Sequence, residues 1–415
     1  MVPKGWTLGT LKDLADTIMG YAFRSEDFVP TGIPLLRMGN LYQNTLDLNR
    51  NPVYLPDSFK VDYKRFLVSP GDLVMSMTGT MGKRDYGFTV EIPSNTQCSL
   101  LNQRVLKIVP KNNASSGYIL NLLRSELILS VLYSFPGGTK QANLSAKQLQ
   151  ELPVLIPPEL EQKKIAQILS TWDKAISVTE KLLTNSQQQK KALMQQLLTG
   201  KKRLLDENGV RFSGEWKITK LIQMGKVVSG GTPDTNMAMY WEGDILWLTP
   251  TDVTALTGRF VSNTSRKITP AGLLNSSAVL LPKGSLMVCT RATIGALAIS
   301  TSEICTNQGF KNIIPNEGFN IEFIYYLLQM NTNEMIKKSS GSTFLELSKK
   351  DFETLSFSCP FIKEQQKIAA VLSAADTEIS TLEKKLACLK DEKKALMQQL
   401  LTGKRRVKVD EAVAA

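Results

Sequence analysis

Apolar residues recur along the chain in two different rhythms. In two stretches, Ile165 to Leu197 and Ile368 to Leu400, they return at alternating steps of four and three residues. The second stretch is apolar at every such position except Lys393. A 3.5-residue repeat sustained this long predicts the buried seam of a coiled coil rather than the broader apolar face of a surface helix. The leucines expected in the core of this seam are Leu183, Leu193, Leu197, Leu386, Leu396 and Leu400.

Proline and glycine mark where the two helices should begin and end. The first stretch follows Pro157 and Pro158, and the second follows Pro360. Gly200 and Gly403 lie just past the last leucines, and the lysines and arginines after them suit the negative C-terminal end of a helix. Such helices would be about 60 Å long at about 1.5 Å per residue. Two seams in one chain can bury each other, most simply as an antiparallel pair.

Outside these stretches the apolar residues form short runs. Segments such as DLVMSM, RVLKIVP, DILWL and ALAIS are rich in β-favouring residues and are separated by Gly, Pro, Asn and Asp. They predict many short strands, and two further stretches, residues 116–132 and 321–338, are expected to be short helices. The fold class predicted for these parts is mixed α/β (α+β).

The chain follows one plan twice. The twelve residues KKALMQQLLTGK occur at 190–201 and again at 393–404. At this shift the agreement extends upstream without an insertion until Gly138 lies over Gly341. Weaker likeness at other shifts pairs GDLVMSMTGTMG with GSLMVCTRATIG, and NQRVLKIVP with NQGFKNIIP. Each copy is therefore a variable globular part followed by a constant helical tail.

These patterns divide the 415 residues into five segments. We predict a first globular domain at 1–153, a central helix at 154–205, a second globular domain at 206–358, a C-terminal helix at 359–405 and a basic, flexible tail at 406–415. Of the net charge of +12, the first domain carries +4, the second domain zero and the helical segments with the tail +8. A basic chain favours an anionic partner such as nucleic acid, although a merely basic soluble surface would give the same total.

Residues that carry much enzymatic chemistry are missing or scattered. The chain has no histidine, which removes the commonest general base and excludes Ser-His and Cys-His nucleophiles. The cysteines show no C-x-x-C spacing, so no Cys/His zinc site is predicted and free buried thiols are expected. The cysteines are Cys98, Cys289, Cys305, Cys359 and Cys388.

Motifs for cofactor binding are missing as well. Neither G-x-x-x-x-G-K-[ST] nor a strand followed by G-x-G-x-x-G occurs, so no ATP-binding loop and no dinucleotide site is predicted. The segment Asn51-Pro52-Val53-Tyr54 is one letter from the Asn-Pro-Pro-Tyr motif with which amino-methylating DNA enzymes grip a flipped base, but no glycine-rich cofactor motif precedes it. We interpret it as a turn. No catalytic residue, metal site or cofactor is predicted in this chain.

The sequence also lacks membrane and export signals. No run of eighteen apolar residues occurs, and the opening MVPKGWTLG does not have the basic-then-apolar layout of a signal peptide. We therefore expect a cytoplasmic protein without membrane contact.

Loops dense in small polar and basic residues recur at equivalent places in the two copies. The clearest pair is MTGTMGKRDYG (77–87) and CTRATIG (289–295), followed by FPGGTKQANLS (135–145) and KKSSGSTFLELS (337–348). Small residues let backbone N–H groups approach phosphates, and Lys, Arg and Gln can reach phosphates or base edges. Each loop alone fits an ordinary solvated turn, but their recurrence favours DNA contact. The candidate DNA-binding residues are Lys83, Arg84, Lys140, Gln141, Arg291, Thr293, Ser342 and Thr343.

The duplicated tail carries a family resemblance. After a proline it begins with E-Q-x-K-I-A-x-x-L-S, and it closes with A-L-M-Q-Q-L-L-T-G-K. With its two variable α/β parts, the whole chain resembles the specificity subunit of a type I restriction-modification system. The resemblance implies two repeated target recognition domains, separated by two conserved helices that form an antiparallel coiled coil with pseudo-two-fold symmetry.

The resemblance also implies a mechanism and a set of partners. Each globular domain would read one half of a split target in double-stranded DNA, and the helices would act as a spacer. Each copy of the tail would dock one of two modification methyltransferase subunits, which would bring S-adenosylmethionine. Separate restriction and translocase subunits would bring ATP and Mg²⁺, so the chain itself would be non-catalytic and hold no cofactor. The loops that read DNA are the variable part of the family, so individual base contacts are not implied.

Three alternatives remain open at this stage. The chain could be a specificity subunit that serves methylation alone, or a spare copy, without a cleaving partner. It could instead be a structural coiled-coil adaptor, which would show no sequence-dependent DNA binding once its partner is supplied. A self-sufficient DNA methyltransferase or nuclease is disfavoured by the missing cofactor and nucleotide motifs.

Overall fold

The structure is a computed structural model, and it describes residues 2–80, 82–135, 141–341 and 345–409. The chain divides into two units, and each unit combines one globular domain with parts of both long helices. The first unit comprises Met1–Glu180 and Lys384–Ala415, and the second comprises Lys181–Glu383. Within the described residues, no helix is both long and apolar enough to cross a membrane.

The globular domain of the first unit is built largely from short strands with a few short helices. Its strands are β1 (Thr7–Thr10), β2 (Ala15–Met19), β3 (Ile33–Leu36), β4 (Leu41–Tyr42), β5 (Thr45–Leu46), β6 (Tyr54–Leu55), β7 (Leu67–Val68), β8 (Leu73–Ser76), β9 (Thr78–Thr80), β10 (Thr89–Glu91), β11 (Ser99–Leu101), β12 (Val105–Pro110), β13 (Gln141–Asn143) and β14 (Pro153–Ile156). Its helices are α1 (Leu11–Leu14), α2 (Phe59–Asp62), α3 (Ser116–Arg124), α4 (Glu126–Ser134) and α5 (Ala146–Gln150), and the long helix α6 (Glu159–Leu197) begins in this unit.

The globular domain of the second unit follows the same plan. Its strands are β15 (Lys217–Lys220), β16 (Gly225–Ser229), β17 (Trp241–Leu248), β18 (Phe260–Val261), β19 (Arg266–Ile268), β20 (Leu286–Cys289), β21 (Leu297–Ser300), β22 (Cys305–Thr306), β23 (Phe310–Pro315) and β24 (Ser356–Cys359). Its helices are α7 (Leu221–Met224), α8 (Pro250–Thr254), α9 (Pro270–Leu274), α10 (Ile321–Met330), α11 (Thr332–Lys337) and α12 (Lys349–Glu353), and the long helix α13 (Ile362–Leu401) begins here.

Each domain contains one largely antiparallel sheet and one mixed sheet. In the first domain the orders are β10-β8-β12-β2 and β6-β3-β11-β7, and β3 runs parallel to β11. In the second domain the orders are β16-β23-β20-β21-β18 and β19-β17-β22, and β17 runs parallel to β22. Strands β3, β8 and β20 are buried along their whole length, as the continuous apolar runs in the sequence predict.

The two regions predicted as single short helices are each divided in two. Ser125 separates α3 from α4 with extended backbone angles, and its hydroxyl donates to the Leu122 carbonyl at 2.6 Å. Asn331 separates α10 from α11, and its side-chain amide donates to the Leu327 carbonyl at 2.7 Å. Short polar side chains that bond to nearby backbone compete with the helical hydrogen bonds. The apolar pattern carries no sign of this competition, so neither break is predicted from the sequence.

The two long helices are antiparallel in each unit, as predicted. In the first unit Lys393 pairs with Asp173 at 2.5 Å, and Lys390 pairs with Glu180 at 2.8 Å. In the second unit Lys190 pairs with Asp376 at 2.5 Å, and the Ser186 hydroxyl donates to Glu378 at 3.1 Å. In both units the contacts move to lower residue numbers on α13 as they move to higher residue numbers on α6. The two helices therefore run in opposite directions.

The core of each globular domain extends onto the long helices. In the first unit Ile165 and Leu169 from the start of α6, and Leu400 from the end of α13, lie in one cluster with residues of the domain. In the second unit Ile368 and Leu372 from the start of α13 lie in the equivalent cluster with the end of α6. The helices and the domain of a unit are therefore parts of one core.

Three of the free cysteines are buried, as expected, and two are not. Cys289, Cys305 and Cys359 are buried, and burial raises the pKa of each thiol to about 12. Cys98 is partly buried, and Cys388 is exposed on α13, where a hydrogen bond to Glu392 raises its pKa. Expecting all the thiols to be buried was therefore wrong for Cys388, because it occupies an outward position of a helix that only one face packs.

Candidate nucleic-acid interface

The structure places the candidate residues of the first domain in different settings. Arg84 forms an ion pair with Glu126 at 2.8 Å, and its guanidinium lies 4.6 Å from the centre of the Tyr133 ring. Both partners of Arg84 lie on α4 of the same domain. Lys83 beside it is exposed. Lys140 lies outside the described residues, and so does the side chain of Gln141, which begins β13.

Two of the four candidate residues of the second domain, Arg291 and Thr293, lie in the loop after β20. Arg291 and Thr293 are both exposed, and the backbone N–H of Thr293 donates to the Arg291 carbonyl at 2.8 Å. Arg291 approaches Glu346 at 3.9 Å, with both side chains nearly half exposed, so solvent screens this ion pair strongly. Ser342 and Thr343 lie outside the described residues.

Both domains have a turn at the same place in the fold, beside these loops. After β11 the N–H of Asn102 donates to the Leu36 carbonyl at 3.0 Å, and after β22 the N–H of Asn307 donates to the Leu248 carbonyl at 3.1 Å. The Asn102 side-chain oxygen accepts the N–H of the next residue, Gln103, and the Asn307 oxygen accepts the N–H of Gly309, two residues on, both at 2.9 Å. The repeated Asn-Gln pair in the sequence therefore marks a turn at the same place in the two domains, with different local hydrogen bonds.

A glycine allows the preceding strand to approach each turn. A Cβ atom at Gly20 would overlap the carbonyl of Asn102, and a Cβ atom at Gly230 would overlap the carbonyl of Asn307. No other residue fits so close to a backbone carbonyl without displacing it. Gly20 and Gly230 therefore have the same role in the two domains.

A second turn stands next to the first in each domain. In the first domain the Asn40 side chain accepts from the Arg37 N–H at 2.9 Å and donates to the Arg50 carbonyl at 3.0 Å. In the second domain Asp252 accepts from the N–H of Thr249 at 2.8 Å and from the N–H of Ser265 at 3.0 Å. Burial pushes the pKa of Asp252 upward, but these hydrogen bonds outweigh burial and hold the pKa below its usual value, so the carboxylate is ionised.

The two turns of the first domain border a cleft of about 430 Å³. Three arginines line it: Arg37 from the end of β3, Arg50 from the loop before β6, and Arg104 from the turn after β11. Asn51, Asn102 and Gln103 also line it, and none of the described residues that line it is acidic. These residues are not among the candidates predicted from the sequence, because they come from three distant segments. The one available signal was Arg104 beside the repeated Asn-Gln pair.

The ends of the long helices are tied to the domains in the same way in both units. In the first unit Glu161 accepts from the Trp6 indole at 3.1 Å and from Arg406 at 3.0 and 2.5 Å. In the second unit Glu364 accepts from the Trp216 indole at 3.3 Å and from Arg203 at 2.6 and 2.7 Å.

These three partners occupy equivalent positions in the two copies of the sequence. Both arginines also donate to a backbone carbonyl, Arg406 to Lys4 at 2.8 Å and Arg203 to Gly214 at 2.9 Å. The tie is therefore a repeated structural feature of the chain.

A glutamine at the start of each long helix completes the attachment. Gln162 donates to the Pro157 carbonyl at 2.9 Å and accepts from the Ser115 N–H at 3.0 Å. Gln365 donates to the Pro360 carbonyl at 2.8 Å and accepts from the Asn320 N–H at 3.0 Å. Both side chains are buried. The E-Q pair in the repeated tail therefore holds each helix start against its own domain.

The leucines predicted for the seam differ in how deeply they are buried. Leu197 and Leu400 are fully buried, and both belong to the cores shared with the globular domains. The remaining four are half-buried: Leu183, Leu193, Leu386 and Leu396. Two of the positions in the same rhythm, Lys190 and Lys393, hold the buried ends of the interhelix ion pairs, with side chains 16% and 14% exposed.

Comparison with known proteins gives a consistent result. The family described as "Type I restriction modification DNA specificity domain" matches residues 3–185 and 213–390. The type I restriction enzyme MjaIX specificity subunit of Methanocaldococcus jannaschii is 40% identical over 172 residues, which cover 41% of this chain and 40% of that protein. The putative MjaX specificity subunit of the same organism is 26% identical over 420 residues, which cover 98% of this chain and 95% of that protein.

Solved structures share the fold at low sequence identity. An S subunit of a type I restriction-modification system from M. genitalium is similar with a TM-score of 0.60 and 14% identity over 96% of each chain. A chain from work on complex assembly and conformational transition of the type I R-M system is similar with a TM-score of 0.59 and 16% identity, over 97% of this chain and 98% of that one.

The two matched segments of the sequence each contain one globular domain and much of the helix that follows it. The repeated fold and the repeated helix ties agree with this twofold match. The chain belongs to the type I restriction-modification DNA specificity family.

Proposed function

We propose that the chain is the DNA-reading, non-catalytic subunit of a type I restriction-modification complex. Each globular domain recognises one half of a two-part target in double-stranded DNA. The long helices act as the spacer between the two domains. The family membership and the basic net charge of +12 both support this function.

One observation carries the proposal: the chain repeats its framework and varies its surface. Glu161 and Glu364 make the same ties in the two units, and Asn102 and Asn307 stabilise turns at the same place in the two domains. The side chains that surround these turns differ between the domains, as expected if two readers on one framework select different base sequences. A structural adaptor would have no need for two different polar surfaces on one repeated turn.

The repeated helical tail supports a matched pair of partners. The twelve residues KKALMQQLLTGK are identical in the two copies, although the domains that they serve have diverged. Two equal surfaces suit two copies of one partner. We propose two modification methyltransferase subunits in this role, with restriction and translocase subunits joining the complex through them.

The chemistry then belongs to the partner subunits. The modification subunits would bring S-adenosylmethionine, and the restriction subunits would bring ATP and Mg²⁺. The absence of histidine and of nucleotide-binding motifs in the sequence supports a chain whose own task is recognition. A specificity subunit that serves methylation alone has the same residues and stays an alternative.

Base-resolution mapping of adenine methylation tests this function. Cells would express the partner methyltransferase subunit with and without the chain. We expect a two-part motif with a fixed unspecified gap to become methylated only when the chain is present. Unchanged methylation, or methylation at a continuous site that does not need the chain, would contradict the proposal and favour the adaptor.

A further inference from the structure

The arginine-lined cleft of the first domain is unlike an ordinary solvated surface. Arg37, Arg50 and Arg104 converge on it from three segments, and in the part of the chain that the structure describes its lining contains no acidic residue. Within the described residues, no ion pair joins any of these three arginines to a carboxylate. Uncompensated guanidinium groups that share one cleft attract an anionic ligand.

Two of the arginines are held in place by uncharged partners. Arg37 donates to the carbonyl of Asn51, and the guanidinium of Arg50 lies 5.2 Å from the centre of the Tyr42 ring. Such contacts orient a guanidinium and leave its charge available, because neither a carbonyl nor an aromatic ring neutralises it. The cleft is therefore preorganised before any ligand enters.

The third arginine occupies an unfavourable backbone conformation. Arg104 has a φ of +71°, in the left-handed region that residues with a side chain rarely adopt. Its carbonyl accepts the N–H of Met77 at 2.9 Å, and in the second domain the carbonyl of Gly309 accepts the N–H of Thr290 at 2.9 Å. The equivalent position in the second domain is thus a glycine. A strained non-glycine residue in an exposed turn is typical of a functional position.

We infer that this cleft binds the DNA half-site of the first domain and that Arg104 contacts a base edge there; this inference rests on the proposed function. Arginine pairs with guanine O6 and N7 through two parallel hydrogen bonds, and the amides of asparagine and glutamine pair with adenine in the same manner. Arg104, Gln103 and Asn51 are exposed at the cleft and present both kinds of donor. A site for free phosphate would need the cations but not the amides.

The second domain uses different side chains at the same turn. Thr249 replaces the arginine at the end of the parallel strand, and Gly309 replaces the strained arginine. A Cβ atom at Gly309 would lie 3.9 Å from the Cβ of Arg291, so Arg291 stands beside the equivalent surface. Arg266 is engaged elsewhere, with its guanidinium 3.6 Å from the centre of the Trp241 ring. In the second domain, Arg291 from the loop after β20 is therefore the arginine beside this surface.

The test uses the complex of the full chain with its methyltransferase subunits. Its probes are a duplex with the mapped target, duplexes with single base-pair changes in either half, and a scrambled duplex. The variants are Arg104→Gln, Arg104→Lys and, as the matched control, Arg24→Gln. Arg24 is an exposed arginine of the same domain whose side chain is 80% exposed and does not line the cleft. Thermal unfolding of each variant checks that the domain remains folded.

We expect Arg104→Gln to weaken binding of the target about tenfold to hundredfold and to remove discrimination at one or two base pairs of a single half-site. Arg104→Lys should keep part of the affinity but lose the discrimination, because a lysine does not form the paired contact. Arg24→Gln should stay within about twofold of the original chain. A variant that keeps its target discrimination, or that weakens target and scrambled DNA equally, would overturn the inference about Arg104.

Failure of the proposed function would look different. In that case the complex of the original chain would itself show no preference for any two-part target. A normal preference in the original chain together with an Arg104→Gln variant that behaves like Arg24→Gln would leave the proposed function intact and remove the cleft alone.

Discussion

The two globular domains of this chain agree where they meet the long helices and differ where they are open to solvent. In both units a buried glutamate, Glu161 or Glu364, holds an indole and a guanidinium. At the asparagine turn, by contrast, the first domain places Arg37 and Arg104 where the second has Thr249 and Gly309.

The difference separates two kinds of constraint on one sequence. Residues that attach a domain to the helices must keep their partners, because a buried charge without a partner costs several kcal/mol. Arg104 at the turn is exposed to solvent, and a change at such a position alters what the surface binds without a comparable loss of stability. A protein that must recognise two unlike sequences with one framework can vary the second kind of residue freely.

The largest expected effect concerns the leucines that both units bury. Leu197→Asp and Leu400→Asp should each lower the free energy of unfolding by at least about 3 kcal/mol, because each places a carboxylate in an apolar core. Urea unfolding would measure the loss. The controls are Gln195→Asp and Gln398→Asp, at exposed positions near the ends of the same two helices. Each should change the free energy of unfolding by less than about 0.5 kcal/mol. An equally small effect at the leucines would contradict the shared cores.

Removal of the glutamate should cost unequal amounts of stability in the two units, although each glutamate binds an indole and a guanidinium. Glu364 is 3% exposed and Arg203 20% exposed, whereas Glu161 is 10% and Arg406 40% exposed. Glu364→Ala should therefore cost about 3 kcal/mol, and Glu161→Ala should cost less because water replaces part of the lost interaction.

The two glutamate substitutions also differ in what they release. Arg406 contacts Lys4 near the other end of the chain, so Glu161→Ala should increase hydrogen exchange in residues 404–408. Arg203 and Trp216 lie close to each other in the sequence, so the chain itself keeps them together. Glu364→Ala should therefore loosen the segment around Arg203 less. Equal exchange in both variants would show that the two ties are energetically alike.

The interhelix ion pairs offer a comparison of intermediate size. Asp376 accepts from Lys190 at 2.5 Å and from the Tyr326 hydroxyl at 2.6 Å, whereas its equivalent Asp173 accepts from Lys393 at 2.5 Å and is 43% exposed. Burial and the Asp376 carboxylate raise the pKa of Tyr326, so its phenol stays protonated and donates.

Asp376→Asn should cost about 1–3 kcal/mol and Asp173→Asn less than about 1 kcal/mol in chemical unfolding. A larger loss at Asp173 than at Asp376 would mean that the exposed pair is the stronger one and would reverse this comparison.

The smallest expected effect concerns DNA recognition by the second globular domain. Arg291 stands beside Gly309 and has only a long, half-exposed ion pair with Glu346. Arg291→Gln should weaken target binding by the complex about tenfold and relax discrimination in one half of the target. The half affected should be the one that Arg104→Gln leaves unchanged. Relaxation of the same half by both substitutions would show that the two domains do not read separate sequences.

The fold was largely predictable because its signals are local and repeated. The 3.5-residue rhythm, the prolines and the glycines predicted both long helices, and the internal repeat predicted two domains of one class. The breaks at Ser125 and Asn331 were missed, because a side-chain hydrogen bond to the preceding turn leaves no trace in the apolar pattern.

The candidate site was predictable only in part. Sequence reasoning selected basic loops such as Lys83 and Arg84, but the structure ties Arg84 to Glu126 and Tyr133. The cleft depends on the parallel pairing of β3 with β11, which brings the segments of Arg37 and Arg104 together across many residues of sequence. Such long-range register is not visible in a local pattern. Asn51, interpreted from its motif only as part of a turn, lines the same cleft.

The most direct test is a methylation map of cells in which the second domain has been replaced by the first. In this variant residues 206–358 are exchanged for residues 1–153, and the long helices are unchanged. Co-purification with the methyltransferase subunit first confirms assembly. If each domain reads its own half, methylation will appear at a two-part motif in which the first half-site occurs twice and the second half-site has vanished. Continued methylation of the original motif by the assembled variant would contradict the division of recognition between the two domains.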